Sequence, residues 1–210
     1  MDQPGAAELD DQLFDRLWDN ASGVPGWLSK REAKLLFVAA RNNFHRGRVV
    51  ELGSYCGRSA IFLAGSLSGT NADQLICVDT FAGSPEHQLG QPKFDQRFYL
   101  DGRVDTFDAF QGTCKAAGLL DRADAWRMTT LDAAKAFDGD VSVLFVDADH
   151  AYDAVSADLA AWLPQMISGG IVILHDVGRW EGPTRAAADL LGQGFRFHAQ
   201  ADTALAVSKP

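Results

Sequence analysis

The chain has 210 residues, 47% hydrophobic and 22% charged, an ordinary globular composition that excludes a disordered protein and predicts one main domain. Its 28 acidic and 19 basic residues give a net charge of −9, which argues against nucleic acid or a membrane as partner and favours a small-molecule ligand. No apolar run reaches membrane-span length, the N-terminus is acidic rather than signal-like, and Cys56, Cys77 and Cys114 form no CxxC pair, so we expect a cytoplasmic protein.

The predicted elements change character along the chain. Leucines at 9, 13 and 17 recur every four residues and predict a helix over 7–19. Ser29 and Glu32 have capping-box spacing and open a second helix to about Phe44. Short apolar runs then alternate with amphipathic segments. The predicted strands are 48–52, 75–79, 125–128, 141–147 and 171–175, and the predicted helical segments are 58–68, 101–117, 131–137 and 151–166.

This alternation predicts the fold class. Runs that are apolar throughout, such as 143–146, suit strands buried on both faces, and strand–helix alternation indicates a doubly wound parallel sheet. The last two strand-like runs, 195–200 and 203–208, are separated by two residues, which can join antiparallel strands only. The sequence therefore predicts an α/β protein whose seven-stranded, mostly parallel sheet closes with an antiparallel C-terminal hairpin.

The first two predicted strands lead into a glycine loop and an acid. Gly53 and Gly57 form GxxxG rather than GxGxxG, which weakens a dinucleotide interpretation. Glu51 would repel a pyrophosphate and attract an amine, while Asp79 can accept hydrogen bonds from a ribose diol. Because ligands of such sheets bind beyond the strand carboxyl ends, the pattern favours a ligand with an ammonium group and a ribose but no phosphate. The alternative is that both acids merely cap nearby helices.

The fourth and fifth predicted strands lead into a second polar cluster. Asp147 and His150 follow one strand, and His175 and Asp176 end or follow the other. Adjacent strand ends bring these groups together, and such a cluster is unfavourable unless a cation or a substrate compensates its charges.

Three segments carry a resemblance to a known family: VVELGSYCGRSA, LICVDTFAGS and FVDADHAYDAVSADLAAWLPQMISGGIVILHDV. They resemble class I S-adenosylmethionine-dependent methyltransferases, in particular small O-methyltransferases of the catechol type, the sugar and macrolide type, and the cephalosporin-hydroxylase-like group. The resemblance implies a Rossmann-like methyltransferase domain over 26–210. The first 25 residues lie outside the resemblance, and we expect them to form an N-terminal helical extension. It implies methylation of a hydroxyl on a natural product, sugar or phenol. A metal-independent N- or O-methyltransferase and a nicotinamide-dependent reductase stay as alternatives.

The resemblance also implies a set of residues that bind S-adenosylmethionine. Glu51 and Gly53 would lie beside the methionine part, Asp79 would bind the ribose, and Thr80 and Phe81 would border the adenine. Thr130 aligns with a serine beside the cofactor, although capping the helix at 131–137 is an equal alternative. The implied cofactor-binding residues are Glu51, Gly53, Ser54, Tyr55, Gly57, Ser59, Asp79, Thr80, Phe81, Thr130 and Asp147.

The resemblance further implies a divalent-metal site at Asp147, His175 and Asp176. Histidine is a poor ligand for magnesium but suits manganese, iron or zinc. Either the metal differs, or His175 faces the substrate and the two aspartates bind the ion alone, or no metal binds. His150, three residues after Asp147, takes the place of the catalytic base, with Asp147 as the second catalytic residue. Helix capping and metal ligation are alternative roles for His150.

Two segments are candidates for covering the cleft. Residues 83–100 form a long irregular connection, which is typical of a lid. Phe94, Phe98 and Tyr99 would cover an apolar acceptor or pack ordinarily, and Trp180 is a second candidate wall. The helix over 7–19 would cover the cleft or make a dimer contact, so a homo-oligomer stays open.

Overall fold

The computed structural model of the protein describes residues 6–210. The helices are α1 Ala6–Asn20, α2 Lys30–Asn43, α3 Arg58–Ser66, α4 Phe107–Ala116, α5 Thr130–Ala136, α6 Tyr152–Trp162 and α7 Glu181–Gly192. The strands are β1 Arg48–Leu52, β2 Leu75–Asp79, β3 Tyr99–Leu100, β4 Arg103–Val104, β5 Ala123–Arg127, β6 Val141–Val146, β7 Met166–Leu174, β8 Arg196–Ala201 and β9 Ala204–Ser208. Among these residues, no helix combines the length and the apolar character needed to cross a membrane.

The main sheet has seven strands in the order β5-β2-β1-β6-β7-β9-β8. The first five run parallel, whereas β9 pairs antiparallel with both β7 and β8. The predicted α/β fold with a C-terminal antiparallel hairpin is therefore confirmed. Because β1 lies between β2 and β6, residues that follow these three strands meet at one edge of the sheet.

Helices cover both faces of the sheet and bury two apolar clusters. On one face α1 to α4 contribute side chains such as Phe14, Phe62 and Phe110, and on the other α5 to α7 contribute Trp162 and Leu190. All six residues of β6 are buried, as a strand covered on both faces requires. The sheet is thus a rigid base for the groups at its edge.

The N-terminal helix belongs to this packing. Phe14 and Leu17 of α1 are buried, and Leu17 fills the space that a side chain at Gly65 of α3 would occupy. Helix α1 does not line the cavity described below, whereas the following residues Pro25–Leu28 do. The domain boundary at residue 25 stays a prediction.

Three elements differ most clearly from the sequence-based expectation. The helix predicted over 101–117 begins at Phe107, because residues 99–104 form a small hairpin whose turn has positive φ at Asp101 and Gly102. Strand β7 begins at Met166 rather than at 171. Helix α7 was not predicted: Gly182 and Pro183 lie in its first turn, where proline is tolerated because the first amides have no partner within the helix.

Candidate active site

A cavity of about 390 Å³ opens at the carboxyl ends of the parallel strands. The loop after β1, the end of β2 and the β5–α5 connection form one side, which we call the cofactor side. The residues after β6 and β7 form the other, the acceptor side, together with the segment 83–93. Among the described residues, five acidic and two basic side chains line it, so the cavity favours a cation.

The glycine loop is held by Asp79. Its Oδ2 accepts the amides of Ser54 at 2.8 Å and Tyr55 at 2.7 Å, and its Oδ1 accepts the amide of Phe81 at 2.7 Å. A carboxylate offers about four acceptor positions, so one remains for a ligand. Burial raises the pKa of Asp79, and the three amides act in the opposite direction.

Gly53 allows the loop to approach the residues that follow β6 closely. Its φ is 91°, and a Cβ there would lie 2.3 Å from the carbonyl oxygen of Asp147. No side chain fits in that space, so this glycine is required by a close approach as well as by a turn.

Glu51 lies beneath the loop rather than in the cavity wall. It is fully buried, and its Oε2 accepts the Ser54 hydroxyl at 2.6 Å, whereas Oε1 has no hydrogen-bond partner. Burial raises the pKa of Glu51 to about 7. Direct contact between this carboxylate and a cofactor stays a prediction.

Most of the other predicted cofactor residues line the cavity, and two do not. The lining residues from that set are Gly53, Ser54, Tyr55, Ser59, Asp79, Thr80, Thr130 and Asp147. Gly57 precedes α3 and faces Phe110. The ring of Phe81, whose φ is 58°, is fully buried against Phe107 and Phe110 and does not line the wall where an adenine was expected.

Thr130 is the first residue of α5, and its hydroxyl donates to the buried Asp158. The N-cap is its neighbour Thr129, whose Oγ1 accepts the amide of Asp132 at 3.1 Å. The capping role considered for Thr130 therefore belongs to Thr129. Burial raises the pKa of Asp158 to about 6, against the Thr130 hydrogen bond.

On the acceptor side, the three predicted metal ligands converge. One potential ligand atom from each of Asp147, His175 and Asp176 lies within 4.8 Å of the others. His175 Nδ1 is 3.3 Å from Asp147 Oδ1 and 4.0 Å from Asp176 Oδ2. His175 is only 4% exposed, and neither of its ring nitrogens has a hydrogen-bond partner. Burial alone would lower the pKa of His175, but Asp147 and the other nearby acids outweigh this effect and raise the pKa to about 10.

His150 lies between two carboxylates. Its Nδ1 is 2.7 Å from Glu86 Oε1, and its Nε2 is 3.1 Å from Asp176 Oδ2 and 3.9 Å from Asp147 Oδ1. The ring stacks on Trp180 at 4.8 Å. Burial lowers the pKa of His150, but the contact with Asp176 and the charges of Asp147 and Glu86 outweigh it and raise it.

Sequence reasoning missed several residues of this cavity. His87 is buried, stacks on Tyr55 at 4.8 Å and lies 5.7 Å from the ring of Trp27. Lys93 Nζ lies over Trp27 at 4.6 Å and over Trp180 at 5.5 Å. The length of the segment 83–100 was the available signal, but it did not indicate which of its residues face the cavity.

The aromatic residues proposed for that segment pack elsewhere. Phe94 and Tyr99 contact each other edge to face, and Phe98 lies 5.8 Å from Tyr55. None of the three lines the cavity; residues between Gly83 and Lys93 do.

Solved structures with the same fold include several methyltransferases. The O-methyltransferase NovP aligns with a TM-score of 0.71 at 15% identity over 98% of this chain and 99% of that one. The methyltransferase PaMTH1 of Podospora anserina, bound to S-adenosylhomocysteine, has a TM-score of 0.65 at 16% identity over 100% and 99%. The O-methyltransferase TomG of Streptomyces achromogenes, in complex with S-adenosylmethionine and involved in tomaymycin synthesis, has a TM-score of 0.61 at 16% identity over 99% and 92%.

At these identities, the structural similarity shows the fold alone. The family follows from the sequence, because a model described as a methyltransferase domain matches residues 50–177. This match spans more than half of the chain. It contains the glycine loop, Asp79 and the polar cluster of Asp147, His150, His175 and Asp176. The chain therefore belongs to that methyltransferase family.

Proposed function

We propose that the protein transfers the methyl group of S-adenosylmethionine to a hydroxyl of a small molecule. One observation carries the proposal: the glycine loop tied to Asp79 opens into the same cavity as a histidine held between two carboxylates. The family assignment supports methyl transfer. The similar structures of O-methyltransferases, one in complex with S-adenosylmethionine, support the cofactor and an oxygen acceptor.

The charge of the cavity supports this cofactor over a nicotinamide dinucleotide. S-adenosylmethionine supplies a methyl group already activated on a positively charged sulfur. The acids that line the cavity favour that charge and disfavour a pyrophosphate. The remaining acceptor position of Asp79 would accept a hydrogen bond from a ribose hydroxyl.

His150 is the proposed base. Glu86 faces Nδ1, so we assign the proton of the neutral ring to that nitrogen. Nε2 then takes the proton of the acceptor hydroxyl, and Asp176, 3.1 Å from Nε2, stabilises the imidazolium that forms. Stacking on Trp180 fixes the plane of the ring. The bound acceptor must place its oxygen in line with the methyl carbon, which the walls of the cavity would enforce.

The acceptor side also fits a divalent cation, held by Asp147, His175 and Asp176. Nδ1 of the buried His175 supports this part of the proposal, because it faces Asp147 and Asp176 without a hydrogen-bond partner, and a buried polar atom without a partner is unfavourable. Such an ion lowers the pKa of a bound hydroxyl. A donor set of two carboxylates and one imidazole suits manganese, iron or zinc better than magnesium.

The three cysteines are free and buried, in keeping with the proposed cytoplasmic location.

The test is transfer of a labelled methyl group from S-adenosylmethionine to a panel of phenols, glycosides and amines. We expect label on a hydroxyl, with transfer lowered when EDTA removes the cation and restored by added Mn²⁺. Label only on amines would contradict the oxygen acceptor, and undiminished turnover in EDTA would exclude the cation. If no acceptor is labelled and NADH is oxidised instead, the methyltransferase proposal is wrong.

A further inference from the structure

Glu32 is an acid that lies outside the cavity but is fixed by both of its oxygens. It is 5% exposed at the start of α2. Oε2 accepts the amide of Ser29 at 2.8 Å, while Oε1 accepts the amide of Thr203 at 3.0 Å and its hydroxyl at 2.7 Å. The carboxylate thus joins the first turn of α2 to the β8–β9 turn. A helix cap uses only one of these bonds, so capping leaves the other oxygen unexplained.

The same carboxylate faces the buried ring of His175. Glu32 Oε2 is 3.5 Å from His175 Nε2. Among the described residues, no other carboxylate lies within 4.0 Å of that nitrogen. The other nitrogen, Nδ1, points to Asp147 and Asp176. Burial alone would raise the pKa of Glu32, but the imidazole of His175 and the donors of Ser29 and Thr203 outweigh this effect and hold the pKa well below its ordinary value. Glu32 is therefore an anion placed behind the ring.

An imidazole that ligates a metal almost always donates its other N–H to a carboxylate or a carbonyl, which fixes the tautomer and the plane of the ring. In His175 the two nitrogens are divided in this way, with one acid on Nε2 and two acids at Nδ1. Ser29 and Thr203 hold the carboxylate of Glu32 in place, so a 180° flip of the ring would take Nε2 away from it.

We propose that Glu32 is a positioning residue that holds His175 through its Nε2–H, so that Nδ1 is the atom that binds a divalent cation together with Asp147 and Asp176. This inference rests on the cation site in the proposed function. It makes the orientation of one metal ligand, His175, depend on Glu32, a residue more than a hundred positions away in sequence.

The experiment is a Mn²⁺ titration of the full-length protein followed by electron paramagnetic resonance. Glu32→Ala should weaken Mn²⁺ binding by about 10–100-fold. Glu32→Gln should weaken it less, because the amide oxygen can still accept the Nε2–H bond. Ser29→Ala is the matched control, since it removes the hydroxyl of the capping box but keeps the backbone amide that donates to Glu32, and it should leave Mn²⁺ binding nearly unchanged.

Pulsed measurements on bound Mn²⁺ give a readout that a merely structural role would not move. We expect a nitrogen coupling in the wild type and in Ser29→Ala, its loss in His175→Asn, and a weakened or heterogeneous coupling in Glu32→Ala. Equal Mn²⁺ affinity in the wild type and Glu32→Ala, equal weakening by Ser29→Ala, or no nitrogen coupling in the wild type would overturn the inference.

Calorimetry with S-adenosylhomocysteine on the same samples separates this inference from the proposed function. All five proteins, the wild type and the four variants, should bind it. A wild type that binds S-adenosylhomocysteine but no Mn²⁺ overturns the role of Glu32 and leaves methyl transfer standing, whereas a wild type that binds neither contradicts both.

Discussion

The cofactor side and the acceptor side of the cavity are built by different means. On the cofactor side, backbone amides of the glycine loop converge on one carboxylate, Asp79, and the backbone of Gly53 touches that of Asp147. On the acceptor side, His150 and His175 are each flanked by acids from distant parts of the chain. The first side depends on backbone geometry and tolerates no added volume, while the second depends on charge pairs and tolerates little change of charge.

The largest expected effect tests whether the acceptor side performs chemistry without holding the cofactor. His150→Ala removes the proposed base and should lower kcat about 10²–10⁴-fold, because general-base catalysis contributes that much. Binding of S-adenosylhomocysteine should be unchanged by calorimetry. The control is His198→Ala on the exposed edge strand β8, which should retain full activity. If His150→Ala weakened S-adenosylhomocysteine binding by the same factor as it lowered kcat, His150 would belong to the cofactor side instead.

The next effect tests the backbone geometry of the cofactor side. Gly53→Ala would place a Cβ 2.3 Å from the Asp147 carbonyl oxygen at a φ of 91°, and should lower the free energy of unfolding by about 3 kcal/mol or more and weaken S-adenosylhomocysteine binding. Gly69→Ala has a similar φ of 72° but no atom within 4 Å, so urea denaturation should show a loss of about 1 kcal/mol and unchanged binding. Similar losses in both variants would show that backbone strain, rather than close approach, determines the role of Gly53.

A smaller effect concerns the acid beneath the loop. The pKa of Glu51 rises from 4.5 to about 7 on folding, so its contribution to stability is fully present below pH 4.5 and is lost as the pH rises to 7. Glu51→Gln does not titrate, and its stability relative to wild type should therefore increase between pH 5 and pH 8, by roughly 2–3 kcal/mol. Urea denaturation of both proteins across this range measures the difference. A difference that does not change with pH would contradict the raised pKa.

The smallest effect separates two neighbouring threonines. Thr129→Ala removes the N-cap of α5 and should lower stability by about 1 kcal/mol while cofactor affinity is retained. Thr130→Val removes the donor to Asp158 at the cavity wall and should weaken S-adenosylhomocysteine binding. If Thr129→Ala weakens binding more than Thr130→Val, the assignment of the two residues is reversed.

The cofactor side was largely predictable from the sequence because its parts are local. The loop after β1 and the acid at the end of β2 follow from strand periodicity and glycine spacing, and the parallel sheet brings them together. Even there, Phe81 could not be placed, since its burial against Phe107 and Phe110 depends on contacts with a distant helix.

The acceptor side was only partly predictable because it depends on contacts between distant residues. Asp147, His175 and Asp176 could be grouped, since they follow adjacent strands. Glu32, however, meets Thr203 across 171 residues, and its position in a capping box explained it by helix formation alone. Glu86 reaches His150 from an irregular segment whose path no periodicity describes.

Calorimetric titration of the wild type and of Asp79→Asn with S-adenosylhomocysteine tests the central claim most directly. The account predicts one-to-one binding by the wild type and at least about 10-fold weaker binding by Asp79→Asn, because the amide loses one acceptor oxygen of a charge-assisted network. No heat of binding by the wild type at millimolar excess, or equal affinity of the two proteins, would contradict it.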